Sequence, residues 1–400
     1  MTERLYYADS YLTEFDATVT ERDGVRIYLD RSAFYPTSGG QPFDVGVLRG
    51  DAHGTALQVV DVVDEGERVA HVLAPGSGSE LAVGTRVHGQ LDWSRRFDHM
   101  QQHSGQHLLS AVFADLLGLA TVSVHFGVDA ATLDLDTAAL TPEQLAAVEE
   151  RANALVFEDR PVTVAVEEDP AELRKQSTRT GALRVVSISA LDRSACGGTH
   201  VARTGEIGPI LLGKVERVRK SARVEFVCGK RAVRRARDTY QALARLGSVL
   251  STPVESVADV VTTRLATLER DAAALRKARE SLDGYRAAEL YAAARERSGH
   301  ALALSVERQA RGALQDYRGL AQSYAKHPRA LFIVAIDEPA ALLVACSEDS
   351  GMDAGASLKA ALAAGGGRGG GSPRLAQGSF ETPAALAAAL SAIVGSATAS

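Results

Sequence analysis

The sequence predicts a multidomain α+β protein: an N-terminal small β-barrel, an α+β core, a helical coiled-coil hairpin and a C-terminal α/β domain. Three observations predict it. The chain has 400 residues, more than one ordinary domain holds. Its first region alternates apolar and polar residues at strand period, and near Trp93 the period becomes helical. Apolar residues then recur every seventh position from Val254 to Leu282.

Residues 1–92 read as strands: Asp16-Ala-Thr-Val-Thr, Val25-Arg-Ile-Tyr-Leu and Leu57-Gln-Val-Val-Asp-Val-Val, punctuated by turn clusters such as Asp51-Ala-His-Gly54. A small barrel is the expected packing. Residues 93–239 read as the α+β core. Leu108, Leu109, Val112, Phe113 and Leu116 share a helical face, and Gly118 stands where a C-terminal cap belongs. Strand-like Thr121-Val-Ser-Val-His-Phe and Ala131-Thr-Leu-Asp-Leu follow. Thr141-Pro-Glu-Gln144 is a capping box opening a helix to about Phe157, and strands return at Pro161 and Leu183. Residues 240–297 read as an elongated helical hairpin, with Thr252-Pro-Val-Glu255 as a second capping box. Residues 298–400 restart as α/β, with buried strands at Leu331-Phe-Ile-Val-Ala-Ile and Ala341-Leu-Leu-Val-Ala-Cys. Composition makes Gly365–Gly371 a flexible loop, although glycine amides beside Arg368 and Arg374 can also hold phosphates. It lacks the context of a Walker or dinucleotide loop, so no ATP-binding site is expected.

Composition narrows the class. A hydrophobic fraction of 46% and a charged fraction of 24% suit a globular protein. The N-terminus lacks the apolar stretch of a secretory signal, and no run is long enough to span a membrane. Cys196, Cys228 and Cys346 are too few and too scattered for a disulfide framework, so a cytoplasmic location is expected. The net charge of −6 excludes a general nucleic-acid coat. Residues 203–237 nevertheless form a basic stripe that includes Arg217, Arg219, Lys220, Arg223, Arg234 and Arg235. Such a stripe serves either as a solvated helix face or as a contact for a phosphate backbone.

Two phrases carry the chemistry: His103-Ser-Gly-Gln-His107 and Cys196-Gly-Gly-Thr-His200. Each offers two ligands four residues apart, and together they form a His3Cys set suited to one zinc ion. The spacing leaves open whether the metal is catalytic or only braces the fold. A third phrase, Pro36-Thr-Ser-Gly-Gly-Gln41, combines the hydroxyls of Thr37 and Ser38, two permissive glycines and a side-chain amide. Taken alone it reads as a hairpin turn.

Together the three phrases resemble the editing domain of alanyl-tRNA synthetases and its free-standing relatives, the AlaX trans-editing proteins. The match is specific over about residues 1–240 and looser beyond, where the coiled coil and Gly-rich segment look like the DHH-associated domain of the long forms. No class II aminoacylation motifs precede the barrel, which favours a stand-alone editor. The resemblance implies hydrolysis of tRNA(Ala) mischarged with serine or glycine, with zinc on His103, His107, Cys196 and His200. It implies Gln41 and Thr37 as catalytic-site residues. Ser38, Gly39, Gly40, His125 and Arg184 are substrate-side candidates, and Arg184 and Asp192 are also placed to brace the Cys196 loop. Arg368 and Arg374 join the basic stripe as candidate tRNA contacts, and the helical arm or C-terminal domain is expected to add tRNA affinity or form a homodimer. Two other readings stay open: a non-catalytic zinc-braced tRNA-binding protein, and an editor of another aminoacyl-tRNA such as threonyl-tRNA.

Overall fold

Alternation closes the first region into a barrel in the computed structural model, which describes residues 1–50, 56–76, 81–168, 170–171, 173–174, 181–298 and 302–398. Strands Glu14–Asp23, Arg26–Leu29, Arg68–Leu73, Ala56–Glu65, Gly46–Gly50 and Arg86–Leu91 form the closed ring in that order. Phe15, Ala17 and Val19 point inward along the first of these strands. In Ala56–Glu65 the buried set moves from Leu57 and Val59 to Val62, and a register shift lies between Val59 and Asp61. An extra residue in one strand reverses which side faces the core, so this irregularity keeps both halves of the strand packed. The Asp51–Gly54 cluster lies outside the described residues.

The chain divides into two compact units, Met1–Leu246 and Gly247–Ser400. The barrel shares the first unit with a long helix, α1 (Trp93–Leu117), a second helix, α2 (Pro142–Phe157), and two antiparallel sheets. The four-stranded sheet has the order Ile210–Val218, Ser221–Cys228, Ala131–Leu135, Thr121–Phe126. The three-stranded sheet runs Val162–Glu167, Leu183–Ile188, Asp192–Ala195. Asp92 caps α1 through the Arg95 N–H, and Gly118 closes it at a left-handed φ of 66°. Thr141 and Gln144 make the reciprocal capping box of α2. Leu108, Leu109, Val112 and Phe113 are buried, but Leu116, expected on the same face, is 47% exposed, and its neighbour Leu117 packs against the core instead. Inside α1, Gly105 admits the Ser221–Cys228 strand: a Cβ there would lie 2.3 Å from the Cys228 Sγ.

The expected boundary at 239/240 falls inside a continuous helix, α3 (Gly229–Leu250). The second expected capping box does not form. Ser251 adopts φ 53° and the Thr252 N–H bonds back to the Gly247 carbonyl, so the stretch closes α3 instead. Pro253 then precedes a short 3-10 turn without a side-chain cap, and α4 spans Val257–Ser298. The heptad residues Leu268, Leu275 and Leu282 on α4 are exposed.

In the second unit five strands order as Ala303–Arg311, Ala330–Glu338, Ala341–Cys346, Leu375–Phe380, Gly367–Gly371. The first pair is parallel and the rest are antiparallel. Residues 330–336 of the second strand are all apolar because both faces of that stretch are covered. Leu331, Ile333 and Ala335 pack with Leu358 and Ile393, while Phe332, Val334 and Ile336 pack with Leu320 and Tyr324. The glycine run, expected as a loop, is instead the edge strand Gly367–Gly371. Its backbone pairing replaces the missing side chains. A Cβ on Gly369 would come within 2.5 Å of the Gln377 carbonyl oxygen, so glycine permits the close pairing. Among the described residues, no helix is long and apolar enough to cross a membrane.

Candidate metal centre

His103 and His107 project from the same side of α1, one turn apart. Cys196 follows directly on strand Asp192–Ala195, and the loop 196–200 folds over that side of α1. The second of its two glycines is needed for the approach: a Cβ on Gly198 would lie 2.1 Å from the His103 Cε1 and 2.9 Å from the Gln41 Oε1. The ligand atoms of His103, His107, Cys196 and His200 all lie within 4.8 Å of one another. The Cys196 Sγ is 3.4 Å from the His103 Nε2 and 3.3 Å from the His200 Nε2. An edge of about 3.5 Å is what tetrahedral zinc with nitrogen and sulfur ligands requires, so the four residues fit the ion in type and number, and the two edges at Cys196 match its spacing.

Each imidazole is tied at its other nitrogen. The His103 Nδ1–H donates to the Gln41 Oε1 at 2.7 Å, and the His107 Nδ1–H donates to the Asp192 Oδ2 at 3.1 Å. The His200 Nδ1 meets the Ser104 hydroxyl at 3.1 Å. This leaves the Nε2 atoms for the metal, a pattern that fixes both tautomer and ring orientation. Gln41, fully buried, is itself held at both ends: its Nε2 donates to the Thr199 Oγ1 at 2.7 Å, and its Oε1 also accepts the Thr199 N–H at 3.1 Å. Asp192 accepts further bonds from the Arg174 Nε at 2.6 Å and the Ser194 hydroxyl at 2.9 Å.

The electrostatics favour a thiolate. Burial pushes the Cys196 thiol up, but His103 and His200 outweigh it and hold the group well below its ordinary value. Burial also raises Asp192, yet the hydrogen bond and charge of His107, with Arg174, bring it down to about 2. His107 is lowered by burial and raised more by Asp192 and Cys196, to about 9, whereas burial and His103 lower His200 to about 3.

The Gly39-Gly-Gln41 phrase is a hairpin turn and also a part of the centre. Ser38 and Gln41 exchange both backbone hydrogen bonds across Gly39 and Gly40, whose φ values are 57° and 87°. Two consecutive positive φ values are the signature of a tight type I′ turn, which glycine adopts without strain. The turn leaves Thr37, Ser38, Gly39 and Gly40 exposed and drives Gln41 inward. The Thr37 Oγ1 accepts the Phe43 N–H at 3.2 Å. Behind the turn, the Asp44 carboxylate accepts the Tyr35 N–H at 2.6 Å and pairs with Arg96 at 2.5 Å, both charged side chains being fully buried. Arg96 also donates to the carbonyls of Ser10 and Ala33. This pair fastens the hairpin to α1, one helical segment before His103.

Other candidates take different places. The Arg184 guanidinium donates to the carbonyls of Cys196 and Gly198, so it braces the loop. His125 is exposed, and the next residue, Phe126, packs against His103 with ring centroids 5.3 Å apart. His99 is buried with no partner for its Nδ1, outside the ligand cluster. In the basic stripe, Arg223 pairs with Asp134 and Arg235 with Glu225. Arg217, Arg219 and Lys220 lie exposed at the tip joining strands Ile210–Val218 and Ser221–Cys228. In the second unit Arg374 bonds the Ser347 carbonyl, and Arg368 is exposed on the edge strand. Ser104, Arg174 and Thr199 were missed as functional residues. Ser104 and Thr199 stand inside the two ligand phrases, which was the available signal, whereas nothing local singles out Arg174.

Two family models match: the class II (A) tRNA synthetases over residues 6–95, and the threonyl and alanyl tRNA synthetase second additional domain over residues 183–223. The alanine–tRNA ligase of Thermococcus kodakarensis is 32% identical over 96% of this chain and 42% of its own length. The alanyl-tRNA editing protein AlaX-L of Pyrococcus horikoshii is 35% identical over 58% of this chain and 59% of its own. The chain thus spans less than half the length of the alanine–tRNA ligases it matches and somewhat more than half of that AlaX-L. The AlaX-M protein of Methanosarcina acetivorans is 35% identical over 56% of this chain and 97% of its own length. A solved C-Ala domain of Aquifex aeolicus alanyl-tRNA synthetase overlaps 22% of the chain at 18% identity with a TM-score of 0.20, too slight a likeness to inform the fold. Because it covers 97% of that AlaX-M protein at 35% identity, the chain belongs to the alanyl-tRNA editing protein family.

Proposed function

We propose that this chain hydrolyses the ester joining a wrong amino acid, serine or glycine, to tRNA(Ala), with zinc held by His103, His107, Cys196 and His200. The observation that carries this reading is the set of three imidazoles, each tied at Nδ1 and each turned toward one thiolate. Zinc bound there supplies Lewis acidity, able to polarise the ester carbonyl or bring a water pKa toward roughly 7. The chain's own residues supply the geometry. Gln41 sets the tautomer of His103, Thr199 fixes the amide of Gln41, and Asp192 keeps a negative charge against His107. Gln41 therefore acts by positioning a ligand, its amide oxygen already engaged twice.

The need for such an activity is physical. A pocket shaped for alanine cannot exclude smaller glycine, and it rejects an added hydroxyl by only about 10²-fold. A second site must test the product. Thr37 and Ser38, exposed on the turn that carries Gln41, offer the hydroxyls that this reading assigns to a serine hydroxyl that alanine lacks. Arg217, Arg219 and Lys220 supply phosphate contacts, and the exposed heptad leucines of α4 supply a seam for a second copy. A cytoplasmic setting keeps the Cys196 thiolate reduced for the metal.

The test is a deacylation panel of Ser-, Gly- and Ala-tRNA(Ala) and Ser-tRNA(Thr), run on the native chain and on His107→Ala and Cys196→Ala with zinc content measured. Rapid loss of serine or glycine from tRNA(Ala) alone is expected, and it should collapse with the metal. Undiminished hydrolysis by folded, zinc-free variants would sink the metal assignment, and preference for Ser-tRNA(Thr) would move the substrate.

A further inference from the structure

Beside the metal centre lies a cavity of about 580 Å³ that the ligand set does not explain. Pro42, directly after Gln41, and Phe126, which packs on His103, form its wall toward the centre. Phe126 also lies 3.4 Å from where a Cβ on Gly40 would stand, so the turn and the cavity share one aromatic side chain. Across the cavity are the first two turns of α3, with Lys230, Arg231 and Arg234. Arg231 is engaged, paired with Asp98 and donating to the Gly127 carbonyl. Lys230 and Arg234 are exposed, four residues apart on one helix face, and neither side chain has an ion-pair partner among the described residues. Arg95 adds a fourth cation, held over the Phe43 ring, against which stand only the acids Asp98 and Asp129. The lining is therefore net positive on a chain whose net charge is −6.

We propose that this cavity receives the single-stranded 3′ end of the RNA, with backbone phosphates against Lys230 and Arg234 and a base against the Phe126 and Pro42 wall. The proposal rests on the editing reading, since an ester on the terminal ribose must reach the cluster while the rest of that nucleotide lies next to it. The volume is of the size that holds a small ligand. Two unpaired cations at helical spacing suit successive phosphates, and the start of α3 adds its partial positive charge. An aromatic wall accepts any base face, which is how single strands are held. The wall joins the two sites, so the nucleotide and its ester are placed together.

The experiment compares the native full-length chain with Lys230→Glu/Arg234→Glu, and with Arg217→Glu/Arg219→Glu/Lys220→Glu as a control at the hairpin tip. Binding of a 5′-labelled CCA trinucleotide is read by fluorescence anisotropy, and Ser-tRNA(Ala) deacylation is read as separate kcat and KM. The Lys230/Arg234 variant should lose trinucleotide binding by about tenfold or more and raise KM with kcat retained. Its salt slope should fall by about 1.4, the value for two single-strand phosphates. The control should weaken full-length tRNA and leave the trinucleotide unaffected. Equal trinucleotide affinity in native and Lys230/Arg234 chains, or binding by neither, overturns the subsite. If the native chain binds the trinucleotide through these residues yet deacylates nothing, the editing reading fails and the RNA-end subsite stands.

Discussion

The two units keep opposite kinds of interior. In the first, Gln41, Asp44, His71, Arg96, Gln102, His103, His107 and Asp192 are all buried, along with many other polar groups. In the second, the buried polar side chains among the described residues are Ser305 and Ser347. The rest of that interior is apolar, chiefly Leu, Ile, Val, Phe and Ala around a five-stranded sheet. A buried polar group must be matched by a partner or it destabilises the fold. The first unit carries that burden where the metal ligands are, and the second has no such cluster among its described residues. The contrast teaches that the buried polar groups gather in the unit that holds the candidate ligands.

Four experiments break or sharpen this contrast, beginning with the largest effect. Asp44→Ala leaves the Arg96 guanidinium charged in a fully buried site, and a loss of about 3–5 kcal/mol is expected. Urea unfolding followed by fluorescence of Trp93, the single tryptophan, reads the first unit. A cost below 1 kcal/mol would show the pair to be incidental. The second experiment is acid titration. Buried His71 has its pKa lowered to about 4 by loss of water, with only a weaker opposing bond to the Ile27 carbonyl. That carbonyl takes the Nδ1 proton, so the Nε2 accepts from the Ser32 hydroxyl and the ring is neutral. The unfolded chain binds this proton near pH 6.5 and the folded barrel only near pH 4. Stability is thus fully present above pH 6.5 and lost as pH falls toward 4, by roughly 3 kcal/mol for this group. His71→Gln should flatten that part of the profile; an unchanged slope refutes the assignment.

Third, Gln41→Ala should weaken zinc affinity about 10–100-fold by releasing His103, with the ligands themselves intact. Competition with a chromophoric chelator measures it, and unaltered affinity would remove Gln41 from the centre. The smallest effect belongs to the apolar unit. Ile333→Val removes one methylene from a packed sheet and should cost about 0.5–1.5 kcal/mol, read by circular dichroism as a shift of that unit's transition. Zinc affinity should not change.

The four ligands were legible because each pair lies in one short phrase, and the barrel was legible because alternation is local. The pairing of Asp44 with Arg96 was not, because it joins two ordinary surface-type residues 52 positions apart that only the fold brings together. The glycine run misled because composition reports the lack of side chains and is silent about backbone pairing. The second capping box misled because Thr252 has the right residue type while its N–H already closes α3. Gln41 was legible as a residue of the site, but its bonds to His103 and Thr199 were not, since no sequence pattern shows where an amide's two ends are bonded.

The loop 196–200 is held over α1 by bonds that do not involve a metal: Arg184 on its carbonyls, Thr199 on Gln41, and the bare α-carbon of Gly198 beneath the His103 ring. A zinc finger folds only around its ion. Here the chain's own bonds share with the ligands the task of holding the loop in place.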